Sequence, residues 1–270
     1  MFIRHRRLLD QITLLHGPHD LLGRFFLIAD TAARDQGVRL RLRADFDALV
    51  ALNERNRDSW PALAPVFNPQ FSNLRLDSAF WLEAIDENDE TVATHAARFF
   101  DWEHTTLAAE LRSMRVFYED PAPRIAAGES IECEAPSAPL IRGRVAYGGA
   151  VWVRPDFRGK GLAALMPRIS RSYAYSRWDT ACTWGLVEHK THAKGLVRAN
   201  GPYEVEESVL LRMTFRGDLP LLLMWMGRNA MLSDIAGIVD QATVDSWRRI
   251  ERPSTNRSEP RRRQGMSSRS

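Results

Sequence analysis

The stretch Ala150-Val151-Trp152-Val153-Arg154-Pro155-Asp156-Phe157-Arg158-Gly159-Lys160-Gly161-Leu162-Ala163-Ala164-Leu165 sets a basic, glycine-rich turn between a strand and a helix. Backbone N–H groups at such a turn and at the helix start form an anion site. Gly159 and Gly161 leave the backbone uncovered by side chains, so a pyrophosphate can approach the amides, while Arg158 and Lys160 add positive potential. A phosphorylated ligand is the expected occupant. The P-loop pattern of Gly, four residues, then Gly-Lys-Ser/Thr fails twice, because Arg154 stands at its first glycine and Gly161 follows the lysine. Gly159, Gly161 and Ala164 satisfy the dinucleotide fingerprint G-x-G-x-x-A, which keeps a nicotinamide cofactor as an alternative. Against it, Arg154 to Arg158 separate strand from glycine, and too little βαβ pattern follows to build a doubly wound sheet.

With its flanks, this segment resembles the acyl-CoA-binding motif of the GNAT N-acetyltransferase superfamily. Arg158, Gly161 and Ala163 meet the pattern Gln/Arg-x-x-Gly-x-Gly/Ala, and Val151, Val153 and Pro155 meet the valine-rich strand and proline before it. The resemblance extends over residues 37 to 214 and implies an α/β (α+β) fold, a mixed and mostly antiparallel sheet flanked by helices. It implies acetyl-CoA, or another acyl-CoA, as co-substrate and no metal. The pyrophosphate would sit on the amides of Arg158, Gly159, Lys160, Gly161, Leu162 and Ala163. Gly148-Gly149 falls where the family's fourth strand bulges away from the fifth, and the pantetheine arm would pair with the backbone around Val151 and Val153.

One part of the family pattern is missing. In many relatives a second helix carries an Asn near its start and a Tyr that protonates the departing thiolate. Aligning on Ala193 and Leu196 puts Lys190 at the Asn and Val197 at the Tyr, and Asn200-Gly201-Pro202-Tyr203 only loosely echoes the family's ending. The general acid is therefore not identified. Tyr147 on the bent strand and His189 after a later strand are the candidate proton-transfer groups, each with a bland counterpart as a packing tyrosine or an idle loop histidine. Cys182 alternates with Thr180 and Trp184 and reads as a buried structural thiol.

These residues need a scaffold. An amphipathic helix is predicted in residues 1 to 36, with Gly37 as its stop, followed by a strand over 37 to 43 and an Asp45-capped helix over 45 to 57. A hairpin pairs 79 to 85 with 91 to 101, and residues 103 to 144 form an insertion between adjacent strands, either a lid on the acceptor site or a packing or oligomer element. Then come a strand over 145 to 153, a helix over 161 to 176 that Pro167 should kink or shorten, a strand over 180 to 187, a short helix over 192 to 199 and closing strand over 203 to 214. Residues 215 to 250 are expected as a C-terminal helical extension that completes the core or buries itself in a homodimer, and 251 to 270 as a disordered basic tail.

Charge and composition exclude other classes. Of 270 residues, 44% are hydrophobic, enough for a sizeable core. Six arginines against two glutamates give residues 251 to 270 a net charge of +4, so the total of +3 leaves residues 1 to 250 at −1. Basicity is thus confined to the tail, and no nucleic-acid partner is expected. The longest apolar run, Leu219 to Met226, is eight residues, so no membrane span is expected either. Without a secretory leader, and with Cys133 and Cys182 at no metal-type spacing, the cytoplasm is the default location. The sequence reads as an acyl-CoA-dependent N-acetyltransferase acting on a small-molecule or peptide amine, or as a catalytically silent acyl-CoA-binding or protein-interaction module on the same fold.

Overall fold

The computed structural model describes residues 7–213 and 217–251; the expected disordered tail lies outside the described residues from position 252. Two helices open the chain, α1 (Leu8–Gln11) and α2 (His19–Asp35). α2 buries Leu22, Phe25, Phe26, Ala29 and Ala33, one apolar stripe at helical spacing. It stops where Gly37 takes φ +75° and the Gly37 and Val38 amides donate to the carbonyls of Arg34 and Ala33, a glycine-terminated Schellman turn. After β1 (Arg39–Arg43), α3 (Phe46–Arg55) starts where the Asp45 carboxylate accepts the Ala48 amide at 3.1 Å. β2 (Ala79–Ile85) and β3 (Thr91–Trp102) form the expected hairpin, its turn held by the Asp86 carboxylate accepting the amides of Asn88 and Glu90.

The insertion folds as α4 (Leu107–Arg112), α5 (Ala122–Ala126) and β4 (Ser130–Cys133). β5 (Gly143–Val153), α6 (Leu162–Trp178) and β6 (Cys182–Glu188) follow, then α7 (His189–Ala193), α8 (Leu196–Ala199), β7 (Glu204–Met213), β8 (Gly217–Gly227) and α9 (Arg228–Glu251). The eight strands make one sheet in the order β1-β2-β3-β5-β6-β8-β7-β4. Every neighbouring pair is antiparallel except β5 and β6, which run parallel because α6 crosses between them. This is the mixed, mostly antiparallel, helix-flanked sheet that the resemblance implies, with β4 and β8 as strands beyond the expected ones.

Alternation along the strands sends side chains into two cores. Phe80, Leu82, Ala97 and Ala146 face α2, α6 and α9, packing on Phe25, Phe26, Met166, Ile169 and Ile235. Trp81, Ala96, Val145, Tyr147 and Trp184 face α3 and the insertion, packing with Phe46, Phe67, Leu107, Leu111 and Phe117. The insertion is therefore part of the fold's packing: it closes one face of the sheet, and β4 pairs with β7 at the far edge.

Three expectations are corrected. Residues 217–227, expected as helix, form β8, an interior strand between β6 and β7, so the domain does not close at 214 and only α9 realises the helical extension. The stretch over 192 to 199 is two short helices, with His189 opening the first and Gly195 at φ +75° dividing them. α6 runs through Pro167 as one element of 17 residues. Pro167 cannot donate to the carbonyl of Ala163; with its amide nitrogen turned toward the helix, Asn200 donates to that carbonyl at 2.7 Å.

Candidate functional site

β5 and β6 pair only at Val145 with Cys182, Ala146 with Thr183 and Tyr147 with Trp184. Beyond that point the strands part. On its other side β5 carries a bulge against β3, where Thr94 faces Trp152 but Ala96 faces Gly149. The extra residue is Ala150, at φ +51°, with its carbonyl fixed by the Thr94 hydroxyl at 2.8 Å. Gly148 and Gly149 sit in crowded positions: a Cβ on Gly149 would lie 2.8 Å from the Phe67 ring, which would have to shift, and one on Gly148 would lie 3.2 Å from the His95 imidazole. The β5 edge over Val151 to Val153 is thus unpaired on the β6 side, and Val151 is exposed.

The strand leads directly into the glycine turn. Arg154 anchors its start, donating its amide to the Val92 carbonyl at 2.8 Å and its guanidinium to Asp86 at 3.0 Å and to Asp156 at 2.8 Å. Burial pushes the Asp86 carboxyl up, but the Glu90 and Asn88 amides and Arg154 outweigh it and hold the group below the usual carboxylate range. Arg158 donates Nε to the Val153 carbonyl at 3.2 Å, and Lys160 Nζ lies 4.0 Å above the Phe157 ring. Gly159 and Gly161 take φ +80° and +79°, and a Cβ on either would meet nothing within 4 Å. They lie exposed at the N-terminus of α6, where the Ala164 and Leu165 amides both donate to the Gly161 carbonyl at 3.0 Å and those of Leu162 and Ala163 precede the first helical bond. The turn therefore presents backbone donors, two basic side chains and a helix dipole to an anion.

A cavity of about 320 Å³ lies in the gap between the strands, lined from both faces of the sheet. Toward α6 its walls are Ala163, Pro167, Val197, Asn200 and Tyr203, with His95 beside Gly148. Burial and the nearby Arg171 guanidinium hold the His95 imidazole down at about 3, so it is neutral; its Nδ1 is buried with no hydrogen-bond partner. Burial pushes the Tyr203 phenol up, Arg171 pulling it partly back. Arg171, 1% exposed, is bound by Asp234 of α9 and donates at 2.7 Å to the Asn200 carbonyl, while Arg168 holds the Ala199 carbonyl at 2.7 Å and Asp234 at 3.0 Å. These contacts clamp the end of α8 and the turn that carries Tyr203.

Val151, Arg158, Gly159, Lys160 and Gly161 are exposed and Val153 and Ala163 half-buried between the open strand edge and the helix start, whereas the Leu162 side chain, 1% exposed, packs in the core. Tyr147 lines the cavity at the last paired position of β5, its ring against Trp184, Phe67 and Phe117 at 4.6, 5.5 and 6.4 Å. His189 is exposed and does not line the cavity; its neighbour Glu188 does. Sequence reasoning missed His95, Trp184, Glu188 and the role of Tyr203. The loose echo at Asn200 to Tyr203 was the available signal for the last, whereas His95 sits in a strand whose alternation gives no hint of a neighbouring bulge. Cys182, expected to be buried, is partly buried in β6, and burial pushes its thiol up to about 12.

No protein-family model matches the sequence, and no curated protein matches it. Solved structures do. Arabidopsis thaliana NAA60 in complex with acetyl-CoA is 13% identical, the match covering 71% of this chain and 99% of that one at a TM-score of 0.44. The spermidine N-acetyltransferase SpeG from Vibrio cholerae is 13% identical over 72% of this chain and 96% of that one, with a TM-score of 0.40. The GNAT domain of S. lividans PAT is 14% identical over 70% and 90%, with a TM-score of 0.38.

Proposed function

We propose that this chain binds acyl-CoA and transfers the acyl group, acetyl in the simplest case, to an amine. The observation that carries the reading is the parting of β5 from β6 immediately before an open glycine turn at a helix N-terminus. The two features suit the two halves of the molecule. The pyrophosphate sits on the turn and first helical amides from Gly159 to Ala163, the Arg158 amide being given to the Pro155 carbonyl at 3.3 Å, with the Arg158 and Lys160 side chains as counter-charges. The pantetheine amides add to the open edge of β5 at Val151 and Val153 as an extra strand would, which leads the thioester into the gap.

The reaction is direct attack. The amine nitrogen bonds to the thioester carbonyl carbon, charge collects on the carbonyl oxygen, where β5 amides beside the bulge can stabilise it, and the C–S bond then breaks. The thiolate takes a proton from the Tyr203 hydroxyl, replacing the tyrosine that Val197 displaces; the amine proton leaves through Glu188 or water. Tyr147, buried among aromatic rings, shapes the cavity and transfers no proton, and exposed His189 is outside it. No helix among the described residues is long and apolar enough to cross a membrane.

A second reading has one observation in its favour. Val197, 4% exposed, lines the cavity where the resemblance places the acid, which suits a silent acyl-CoA-holding module. Sustained CoA release with any amine overturns that reading. Calorimetric titration with acetyl-CoA, beside NADPH and a Gly161→Glu variant, tests the cofactor assignment. Saturable binding of acetyl-CoA alone, lost in the variant while its thermal transition persists, is expected. Absence of acetyl-CoA binding, or a preference for NADPH, refutes the assignment.

A further inference from the structure

The α6 face of the gap carries a buried imidazole. His95 stands on β3 in one row with Ala93 and Ala97, the row that packs toward α6. Gly148 is the first residue of β5 beyond its last pair with β6, so the gap opens there, and His95 lines the cavity at that point. The Cε1–Nε2 edge of the ring is the edge turned to Gly148, its two atoms 3.2 and 3.5 Å from where a glycine-replacing Cβ would lie. Nδ1 is buried. Neither ring nitrogen is hydrogen-bonded to a described residue, and Nε2 is the one on the edge that meets the cavity.

This asymmetry places the proton. On Nδ1 it would be a donor that neither protein nor solvent can reach, whereas on Nε2 it faces a cavity whose occupant can accept it. The Nε2–H tautomer is therefore favoured. Burial and Arg171 keep the ring neutral, which removes it as a base for the attacking amine and leaves it as a hydrogen-bond donor. Tyr203, whose phenol is hydrogen-bonded by Arg171, lines the same side of the cavity. With β5 amides assigned to the thioester oxygen, the atom left for a donor on this side is the sulfur, where negative charge gathers as the C–S bond breaks.

We infer that His95 is a catalytic residue of the acyl transfer, its Nε2–H donating a hydrogen bond to the CoA sulfur and stabilising the thiolate until Tyr203 protonates it. The C–S electron pair passes to sulfur, His95 keeps its own proton throughout, and the proton that ends on sulfur is the phenol's, which solvent replaces. This rests on the acyl-CoA reading and adds a residue to it.

The test reads the sulfur directly and needs no acceptor amine. The full chain and its His95→Leu and His95→Gln variants are saturated with CoA, binding being followed calorimetrically. The thiol is then titrated by its ultraviolet thiolate absorbance, taken as the difference from the complex with S-methyl-CoA, which has no thiol. The bound thiol of the wild-type chain is expected to ionise about one pH unit lower than that of His95→Leu, about tenfold more thiolate at a given pH, as one hydrogen bond to a charged group provides. His95→Gln, whose amide can bring an N–H to the region of Nε2, should keep most of that difference. Equal ionisation in the wild-type and leucine proteins, or a glutamine protein that follows leucine, overturns the inference while retained CoA binding leaves the acyl-CoA reading standing. A wild-type chain that does not bind CoA overturns both. Nitrogen NMR of the histidine-labelled wild-type chain gives a readout that does not depend on the leucine variant folding, with His95 assigned as the signal missing from His95→Gln. The Nε2–H tautomer is expected, and an Nδ1–H tautomer or a charged ring near neutrality overturns the inference.

Discussion

Replacing His95 with leucine is expected to remove a pH dependence from the stability of this protein. The imidazole is 6% exposed, its pKa held at about 3 by burial and by Arg171, against 6.5 when unperturbed. Below 6.5 the unfolded chain takes up a proton that the folded chain refuses, so the unfolded state binds more protons and stability falls as pH falls, down to the folded value near 3. Each pH unit well inside that window is worth about 1.4 kcal/mol, which integrates to about 2 kcal/mol between about pH 7.5 and about pH 5. Stopping there keeps clear of Glu83 and Asp86: both are held below their ordinary values, so their stability is lost only at pH below about 4.5. Leucine has a similar volume and no ionised form. Because Nδ1 lacks a partner, the substitution removes an unmet polar group and should cost little near neutrality. Urea unfolding of both proteins across this range measures the difference. Parallel curves, or a histidine protein that gains on leucine as the pH falls, would show that His95 is protonated in the fold and would refute its placement as a buried imidazole beside Arg171.

Two further substitutions probe the gap and its support. A Cβ on Gly185 would lie 3.0 Å from the Gly148 carbonyl oxygen, a backbone atom with little room to give, so Gly185→Ala should destabilise the chain by roughly 1–3 kcal/mol; an unchanged urea midpoint would mean that the diverging strands can move apart freely. Asp234→Asn removes the carboxylate that neutralises buried Arg171 and also binds Arg168, and should cost about 3 kcal/mol, read in the same assay. A loss below about 1 kcal/mol would identify the Asn200 carbonyl as sufficient partner for the guanidinium.

The helices with local signals were legible. α2 and α3 carry apolar stripes and a glycine stop or an aspartate cap, and those devices act within a few residues of chain. The hairpin of β2 and β3 was legible for the same reason, its turn being built by Asp86 on its own neighbours. β8 was not. Leu219 to Met226 is a continuous apolar run because the strand is interior and covered on both faces, and such a run has the composition of a buried helix segment. The insertion could be read as a lid or as packing; its Leu107, Leu111 and Ile131 lie in the core, while its Phe117 also lines the cavity.

For the site, the sequence by itself determined the open glycine turn proposed to hold the pyrophosphate. Gly159, Gly161, Arg158 and Lys160 act through positive φ, bare amides and adjacent charge, all set within one short segment. Tertiary structure decided the cavity beyond that turn. His95 comes from β3, Trp184 and Glu188 from β6, Tyr203 from the turn after α8 and Phe117 from the insertion. Their shared cavity lies where the register of β5 shifts at a bulge while β6 keeps unbroken antiparallel register with β8. Strand divergence is a property of two paired backbones, so it has no period and no motif in either segment alone, and the chemistry it gathers becomes visible only once both strands are in place.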